Sequence, residues 1–359
     1  MNKIWFVLLV MGALFSSCST ELDINADWQE NTVVYSIVNR ANTAHYIRIH
    51  KAYLDPSRSA LAAATVKDSL YYGNISVQIE EINNGNLVNT IVCERVDTNA
   101  LQPGIFAHPD QVIYRFYTPN GMDSSSVFKL KITRPSGAIV QSQLSPVGGF
   151  ANRDAEQRIF PPNISNFVVF TGINWSAPSG NHRVVFRAPR NAKSWDLTVR
   201  IIYNEWETTG NIADSVVKTV DWPIVRRNLI RTVNTGNNIG ESIDYRIFGR
   251  DLFGFMASSI PVDPTKTRRM RGTSFILTFT DEPLTDFLTL NTSSQSATDI
   301  RPEYTNIENG YGIFGSSYQL PSAASMANSP YDAFSYRQVT GGSGTDSLRA
   351  RYPQLNFVP

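Results

Sequence analysis

The chain has 359 residues, with 32 lysines and arginines against 31 aspartates and glutamates, so its formal net charge is +1 at pH 7. Such a balanced charge argues against a nucleic-acid partner, because proteins that bind nucleic acids carry a clear basic excess. The length suffices for two ordinary domains, and the abundance of aromatic and β-branched residues favours β-sheets over helices.

The first residues have the plan of a secretion signal. Lys3 provides a basic start, residues 4–15 form an apolar run broken only by Gly12, and small residues follow. The run is shorter than the roughly 20 apolar residues that a membrane-spanning helix needs. Residues Leu14-Phe15-Ser16-Ser17-Cys18 resemble the lipobox of bacterial lipoproteins, in which the cysteine is lipidated and becomes the mature N-terminus.

This resemblance predicts a signal peptide over residues 1–17 and a lipid on Cys18, which attaches the protein to a membrane. An ordinary signal peptide cut near Ser17 is the alternative, since Phe15 holds the place that leucine usually takes. Lipidation leaves Cys93 as a single thiol, which excludes a disulfide framework and a cysteine-based zinc site. Removing residues 1–17 takes away one lysine, which leaves 31 basic against 31 acidic residues.

Residues 18–31 are polar and are predicted to be a tether, and short strand patterns follow. In one of them Ile75, Val77 and Ile79 alternate with polar residues, as in a half-buried strand. An Asn84-Gly85 pair between two patterns predicts a hairpin turn. The predicted strands cover residues 33–38, 45–54, 74–81, 87–96, 111–118 and 127–133. We therefore predict an N-terminal antiparallel β-sandwich, Ig-like, over residues 32–149.

Residues 134–163 are rich in proline and glycine and are predicted to be a linker, with a domain boundary near Phe150. A second β-rich domain is predicted over residues 150–320, and residues 321–359 are predicted to be partly flexible. The strands of the second domain are predicted at residues 167–172, 182–188, 195–203, 214–225, 274–280 and 287–291.

Two details of the second domain follow from local patterns. From Ser242 the apolar period becomes helical, and Pro261 ends it, which predicts one amphipathic helix packed on the sheet. The helical positions are Phe248, Leu252, Phe255, Met256 and Ile260. The last two predicted strands are interpreted as a hairpin around Glu282-Pro283.

A glycine motif at residues 310–315 formally matches the G-x-G-x-x-G fingerprint of dinucleotide-binding proteins. That mechanism needs a strand before the first glycine and a helix after the third. Residues 306–309 are turn-like and residues 316–321 have no helical pattern, so we predict no nucleotide and no other cofactor.

The four histidines do not have the spacing of a metal site. His45 and His50 are an odd number of residues apart, so they are predicted to lie on opposite faces of a strand. His108 and His182 stand alone in the sequence. No metal site is predicted.

Two features of the second domain are candidates for function. Glu205 and Glu207 share a strand face, which a paired-carboxylate hydrolase could use, although acidic residues at an exposed strand end are the favoured interpretation. Trp206 falls on the opposite side of that strand and is the candidate ligand-binding residue, because an exposed ring can stack on a sugar or a peptide. No catalytic residue is predicted.

Residues 301–315, from Arg301-Pro302-Glu303-Tyr304 to the glycine motif, resemble the closing signature of an uncharacterised family of Bacteroidota outer-membrane lipoproteins. Further matches to that family are Asp27-Trp28 with Val33-Val34-Tyr35, residues 45–49, Pro103-Gly104-Ile105-Phe106, Tyr203-Asn204-Glu205-Trp206 and Asp221-Trp222. The resemblance implies a cell-envelope lipoprotein with β-rich domains, and it carries over no catalytic residues.

The lipobox and the family resemblance together lead to a functional prediction. We predict a non-catalytic binding or accessory component, lipid-anchored in the outer membrane at its periplasmic face or on the cell surface. Its partner is predicted to be an outer-membrane protein or an extracellular ligand. The alternatives are a surface hydrolase acting on glycan or peptide and a structural scaffold without a ligand.

Overall fold

The computed structural model describes residues 31–52, 66–98, 111–148, 168–171, 181–233, 235, 240–293, 304–319, 336–338 and 348–358. The predicted signal peptide, Cys18 and almost all of the predicted tether lie outside these residues.

The described residues before residue 150 form β1 Asn31–Val38, β2 Ala44–Ala52, α1 Lys67–Leu70, β3 Ser76–Asn83, β4 Asn86–Val92, β5 Glu94–Thr98, β6 Gln111–Tyr117, β7 Val127–Thr133 and β8 Ile139–Leu144. Those after it form β9 Val168–Thr171, β10 Asn181–Arg187, β11 Ser194–Glu207, β12 Val216–Leu229, β13 Ser242–Phe248, α2 Gly249–Ser259, β14 Lys266–Thr280, α3 Glu282–Ser293, β15 Tyr311–Gln319, β16 Tyr336–Gln338 and β17 Phe357–Val358. The prediction of a mainly β protein is confirmed.

The described strands form three sheets. The largest has the order β12-β11-β14-β15-β1-β2-β6-β5, with β16 and β17 also paired to β14. The second has the order β4-β3-β7-β8, and the third has the order β13-β10-β9. The largest sheet contains strands from both halves of the chain, and β15 joins them.

The N-terminal half is a sandwich of two sheets around one core. Val34 and Ile47 on the large sheet belong to the same buried cluster as Ile79 and Leu130 on the second sheet. Along β7, Lys129 and Lys131 lie on either side of the buried Leu130, because successive side chains of a strand point to opposite faces. The Asn84-Gly85 turn is also confirmed, because both residues have positive φ, 49° and 80°, as a type I′ hairpin needs.

Strand β15 connects the two halves through unusually close backbone contacts. Residues 311–316 pair in parallel with β1, and residues 317–319 pair with the end of β14. A Cβ atom at Gly312, where φ is +110°, would lie 2.0 Å from the carbonyl oxygen of Val34. A Cβ at Gly310 would lie 2.7 Å from the carbonyl oxygen of Thr32. The glycine motif thus permits a close strand contact, and β15 also contributes Phe314 to the N-terminal core.

The second core lies between β11-β12-β14 and the third sheet with α2. Phe186 of β10 contacts both Trp195 and Phe279 edge to face, at centroid distances of 5.1 and 5.4 Å. Met256 of α2 is fully buried in the same cluster. Burying side chains of this size stabilises the fold by roughly 1.5–3 kcal/mol each. The strand predicted at residues 195–203 is confirmed and is longer than predicted.

The predicted hairpin around Glu282-Pro283 is wrong, because residues 282–293 form helix α3. The Asp281 carboxylate accepts a hydrogen bond from the N–H of Leu284 at 3.0 Å, which caps the first turn. Pro283 suits this turn because the missing N–H is not needed there. The helix packs on β15, where Gly315 leaves room for the Leu284 side chain.

Three other segments differ from the predictions. The strand predicted over residues 87–96 is two strands, β4 and β5, which belong to different sheets. The predicted linker at residues 134–163 contains β8, whose pairing with β7 completes the second sheet on that side. The amphipathic helix is confirmed over α2, but residues 242–248 form β13, so the helix begins at Gly249. In a short apolar segment, the spacing of the apolar residues does not by itself distinguish a buried strand from a helix.

We predict that the buried His45 makes the free energy of unfolding depend on pH. Burial lowers its pKa from 6.5 to about 4, while its Nε2 lies 2.8 Å from Thr118 Oγ1 and its ring stacks on Phe116. Between these two pKa values the unfolded chain binds a proton that the folded chain does not, so stability falls as the pH falls from about 6.5 to about 4.

This loss is absent from a His45→Asn variant. We expect the difference in free energy of unfolding between wild type and variant to shrink by about 2 kcal/mol from pH 7 to pH 4.5, because each pKa unit corresponds to about 1.4 kcal/mol. His50, whose pKa is also lowered to about 4, and Asp281 titrate in both proteins and cancel. Urea denaturation at both pH values measures the difference, and equal differences would contradict the assignment.

Candidate functional site

The outer face of β1, β2 and β6 carries exposed aromatic and apolar side chains. Ile37 comes from β1, Tyr46 from β2 and Tyr117 from β6, with exposed fractions of 55%, 51% and 45%. Tyr35 of β1 is equally exposed and contacts Phe287 of α3 edge to face at 6.4 Å. We call Tyr35, Ile37, Tyr46, Arg115 and Tyr117 the tyrosine face.

Strand alternation explains why these side chains point outward. In β2, Tyr46 lies between His45 and Ile47, which are both buried in the sandwich. In β6 the buried positions are Val112, Tyr114 and Phe116, so Arg115 and Tyr117 take the other face. Because successive side chains of a strand point to opposite faces, a filled core on one side places these residues outside.

Arg115 lies on β6, beside the central Tyr46 of the tyrosine face. It is directly opposite Tyr46 in the pairing of β2 with β6, and its guanidinium lies 5.0 Å from the centroid of the Tyr117 ring. Its Nη2 donates to Glu94 Oε2 at 2.8 Å, and this hydrogen bond raises the pKa of Arg115. The arginine is therefore held in one position and remains charged.

Strand β1 meets β2 at the same place. Ser36 Oγ donates to the backbone carbonyl of Tyr46 at 2.9 Å, which brings Ile37 beside Tyr46. The result is a sheet surface that spans three strands, with Arg115 between the Tyr46 and Tyr117 rings and the exposed Arg48 directly opposite Tyr35. Aromatic residues and arginine are the residue types enriched at the centres of protein interfaces, where a few of them supply most of the binding energy.

The paired carboxylates of β11 are engaged in ion pairs. Glu205 Oε2 accepts from Arg268 Nε at 2.9 Å, and the Arg268 side chain is almost fully buried. Glu207 pairs with Lys266 at the surface. Arg268 also donates from Nη1 to the carbonyl of Leu355 at 2.9 Å. Glu205 and Arg268 thus hold residues 353–358 against the second core.

An open groove of about 650 Å³ lies near these ion pairs. Thr208, Thr267 and Asn356 contribute polar groups to its lining, and Pro353 and Phe357 contribute apolar ones. Neither Glu205 nor Glu207 lines it. The groove and the two carboxylates therefore do not form one hydrolytic site.

A buried polar cluster lies where α3 meets β15. Burial raises the pKa of Asp281 to about 7, although its carboxylate accepts hydrogen bonds from the N–H groups of Leu284 and Ser316. Next to it the hydroxyls of Ser194, Thr280 and Thr285 bond to one another at 2.6–3.1 Å. Thr285 Oγ1 donates to the Asp281 carbonyl at 2.6 Å. Since these groups satisfy each other, the cluster fixes α3 to the strands.

Trp206 is half-buried and lies opposite Thr267 in the pairing of β11 with β14. Asn204, two residues earlier on the same face, has a buried Oδ1 with no hydrogen-bond partner among the described residues. The tyrosine face and Trp206 belong to different halves of the chain. Ligand binding by Trp206 stays a prediction.

The two described histidine side chains, His45 and His50, do not converge on one site, and His108 lies outside the described residues. His45 is buried on the inner face of β2, and His50 lies on the other face against Tyr71 at a ring distance of 5.1 Å. In the described part of the chain no three histidine, cysteine, aspartate or glutamate side chains are grouped as metal ligands. Helices long and apolar enough to cross a membrane are likewise absent from the described segments.

Sequence reasoning missed the tyrosine face, although part of its signal is local. The alternation in residues 44–49 and 111–117 assigns Tyr46, Arg115 and Tyr117 to the polar side of their strands. Large aromatic residues at such positions are the signal that could have been used. The side-by-side arrangement of β1, β2 and β6 depends on the tertiary fold and is not visible in the local pattern.

Comparisons with known proteins add no family. The chain matches no family model, and no curated protein matches its sequence.

Proposed function

We propose that this protein is a lipid-anchored component of the bacterial outer membrane that binds a partner protein through the tyrosine face and catalyses no reaction. The observation that carries the proposal is the pair of half-exposed rings of Tyr46 and Tyr117 beside Arg115 on one face of the sheet. The lipobox at residues 14–18 and the resemblance to Bacteroidota lipoproteins support the location.

The chemistry of the surface favours a protein as the partner. Apolar and aromatic side chains with one fixed cation match a partner surface that has apolar anchors and a carboxylate or carbonyl for Arg115. The surface is the open face of three neighbouring strands, whereas small-molecule sites are usually concave. Binding there requires no movement of the backbone, because the core beneath the strands is filled.

The position of the tyrosine face suits an anchored protein. The chain enters β1 at Asn31, directly after the predicted tether, whereas Ile37 lies near the other end of the strand. Six residues of strand correspond to about 20 Å. The surface is thus displaced from the point where the predicted tether ends, which favours access to it when the protein is held at a membrane.

Mild cross-linking in cells of a Bacteroidota host tests the proposal. Palmitate labelling of the wild type and its loss in Cys18→Ser first establish the anchor. We expect the wild-type chain to co-purify with one reproducible envelope protein. A Tyr46→Ser, Tyr117→Ser double variant should lose at least 90% of that partner, since removing two interface anchors costs about 2 kcal/mol or more.

A Val217→Ser, Leu229→Ser double variant is the matched control. Val217 and Leu229 are 48% and 57% exposed, and both lie on β12, at the opposite edge of the large sheet from β2 and β6. The control should retain the partner. Recovery of the chain alone, or equal loss of the partner in both variants, would argue against binding through the tyrosine face.

A further inference from the structure

Arg48 adds a second cation to the surface that carries the tyrosine face. Its side chain is exposed on β2, directly opposite Tyr35 of β1 and Ile113 of β6. Tyr46 is two residues away on the same side of β2, so two tyrosines and an isoleucine border the guanidinium. Within the described residues no carboxylate forms an ion pair with Arg48. No described side chain therefore balances its charge.

The outward positions of β1, β2, β6 and β5 carry a net positive charge at pH 7. Arg115 is compensated by Glu94, whose carboxylate accepts from its Nη2 at 2.8 Å. His50 also faces outward, where burial and the charge of Arg48 lower its pKa to about 4, so it is neutral. Among the described outward side chains of these strands, Arg48 is thus the charge that lacks a counter-charge.

Arg48 and Arg115 are diagonal neighbours on β2 and β6, because Arg48 lies opposite Ile113 and Arg115 lies opposite Tyr46. Diagonal neighbours on an antiparallel pair are about 7–8 Å apart, within reach of long side chains. One carboxylate placed over this diagonal lies close to both guanidinium groups. The neighbouring rings shield it from water, and an ion pair is stronger where water is excluded.

We propose that the partner of the tyrosine face is a protein that presents an aspartate or glutamate side chain, flanked by apolar side chains, to Arg48. This inference rests on the proposed function and names the chemistry that the tyrosine face recognises. Charge complementarity argues for it, since a partner without an acid would leave Arg48 desolvated and unpaired in the contact, which is costly. Apolar side chains beside the acid match Tyr35, Ile37 and Tyr46.

Zero-length cross-linking in isolated cell envelopes with a carbodiimide tests this contact. The reagent joins an amine to an adjacent carboxylate through an amide bond and does not activate guanidinium groups, so Arg48→Lys keeps the charge and introduces a reactive amine. We expect mass spectrometry of the digested adduct to show position 48 linked to an aspartate or glutamate of the envelope protein.

Arg226→Lys is the matched control for the cross-link. Arg226 is also an exposed strand arginine without an ion pair to a described residue, but it lies on β12, at the far edge of the large sheet. This control should give at least tenfold less adduct at its own position. No link at position 48, or equal links at positions 48 and 226, would overturn the acidic contact.

Recovery of the partner after mild cross-linking separates this inference from the proposed function. Arg48→Glu brings like charges together and should lower the recovery at least tenfold, whereas Arg226→Glu should leave it unchanged. Circular dichroism verifies that the variants are folded. If Arg48→Glu retains the partner and the Tyr46→Ser, Tyr117→Ser variant loses it, the acidic contact is overturned and binding through the tyrosine face stands. Retention of the partner in both variants overturns both.

Discussion

Replacing Gly312 by alanine is expected to destabilise the protein by about 4 kcal/mol or more, among the largest effects of a single substitution. The added Cβ would lie 2.0 Å from the carbonyl oxygen of Val34, and both atoms belong to paired backbones that cannot rotate apart. Relief requires β15 to move away from β1, which breaks the parallel ladder that joins the two halves. Urea denaturation followed by circular dichroism measures the loss.

Gly137→Ala is the matched control. Gly137 has a φ of +82°, also in the left-handed region, but no atom lies within 4 Å of its added Cβ. The free energy of unfolding should therefore fall by only about 1 kcal/mol, which is the conformational cost of replacing glycine by alanine at a positive φ. Equal losses in the two variants would show that the close contact between β15 and β1 does not limit the residue at position 312.

Replacing Glu205 by alanine is expected to cost about 3 kcal/mol in the free energy of unfolding. Arg268 is 1% exposed, and the loss of Glu205 leaves its charge buried without a carboxylate. Breaking a buried ion pair by removing one partner typically costs about 3–5 kcal/mol. Residues 353–358 should also exchange amide hydrogen faster, because Arg268 donates to Leu355 and pairs with Phe357.

Glu207→Ala is the control, because it removes a carboxylate from the same end of β11 without breaking a buried ion pair. Glu207 pairs with Lys266 at the surface, where a salt bridge contributes little. We expect no measurable change in stability. A Glu205→Ala variant as stable as Glu207→Ala would contradict the structural assignment and return Glu205 to the candidates for hydrolytic chemistry.

Local pattern was enough to predict most of the strands. In β3, β7 and β11 one face is buried and the other is solvated, so apolar and polar residues alternate and the period is visible in the sequence. The Asn84-Gly85 turn could be predicted because few residue pairs adopt its positive φ angles.

Features that depend on distant partners could not be predicted. Residues 287–291 have a short apolar run that fits a strand. They are helical because the Asp281 carboxylate caps the first turn of α3 and because Gly315 leaves room for the helix to pack on β15. Strand β15 has glycines that lower strand propensity, and its pairing with β1 crosses almost the whole chain. The partner of Glu205 is 63 residues away, so the ion pair left no local signal.

The candidate site follows the same division. The outward positions of Tyr46 and Tyr117 are readable from each strand, but the order β1-β2-β6 that unites them is a property of the sheet. Arg115 becomes notable only when Glu94 and the Tyr117 ring are found around it.

Site-specific photo-cross-linking in living cells tests binding through the tyrosine face most directly. A photoreactive amino acid at Tyr46 should give one discrete adduct with an envelope protein. The same amino acid at Gln143, exposed on the opposite sheet, should give none. An adduct at Gln143 with no adduct at Tyr46, or no adduct at either position, would contradict the account.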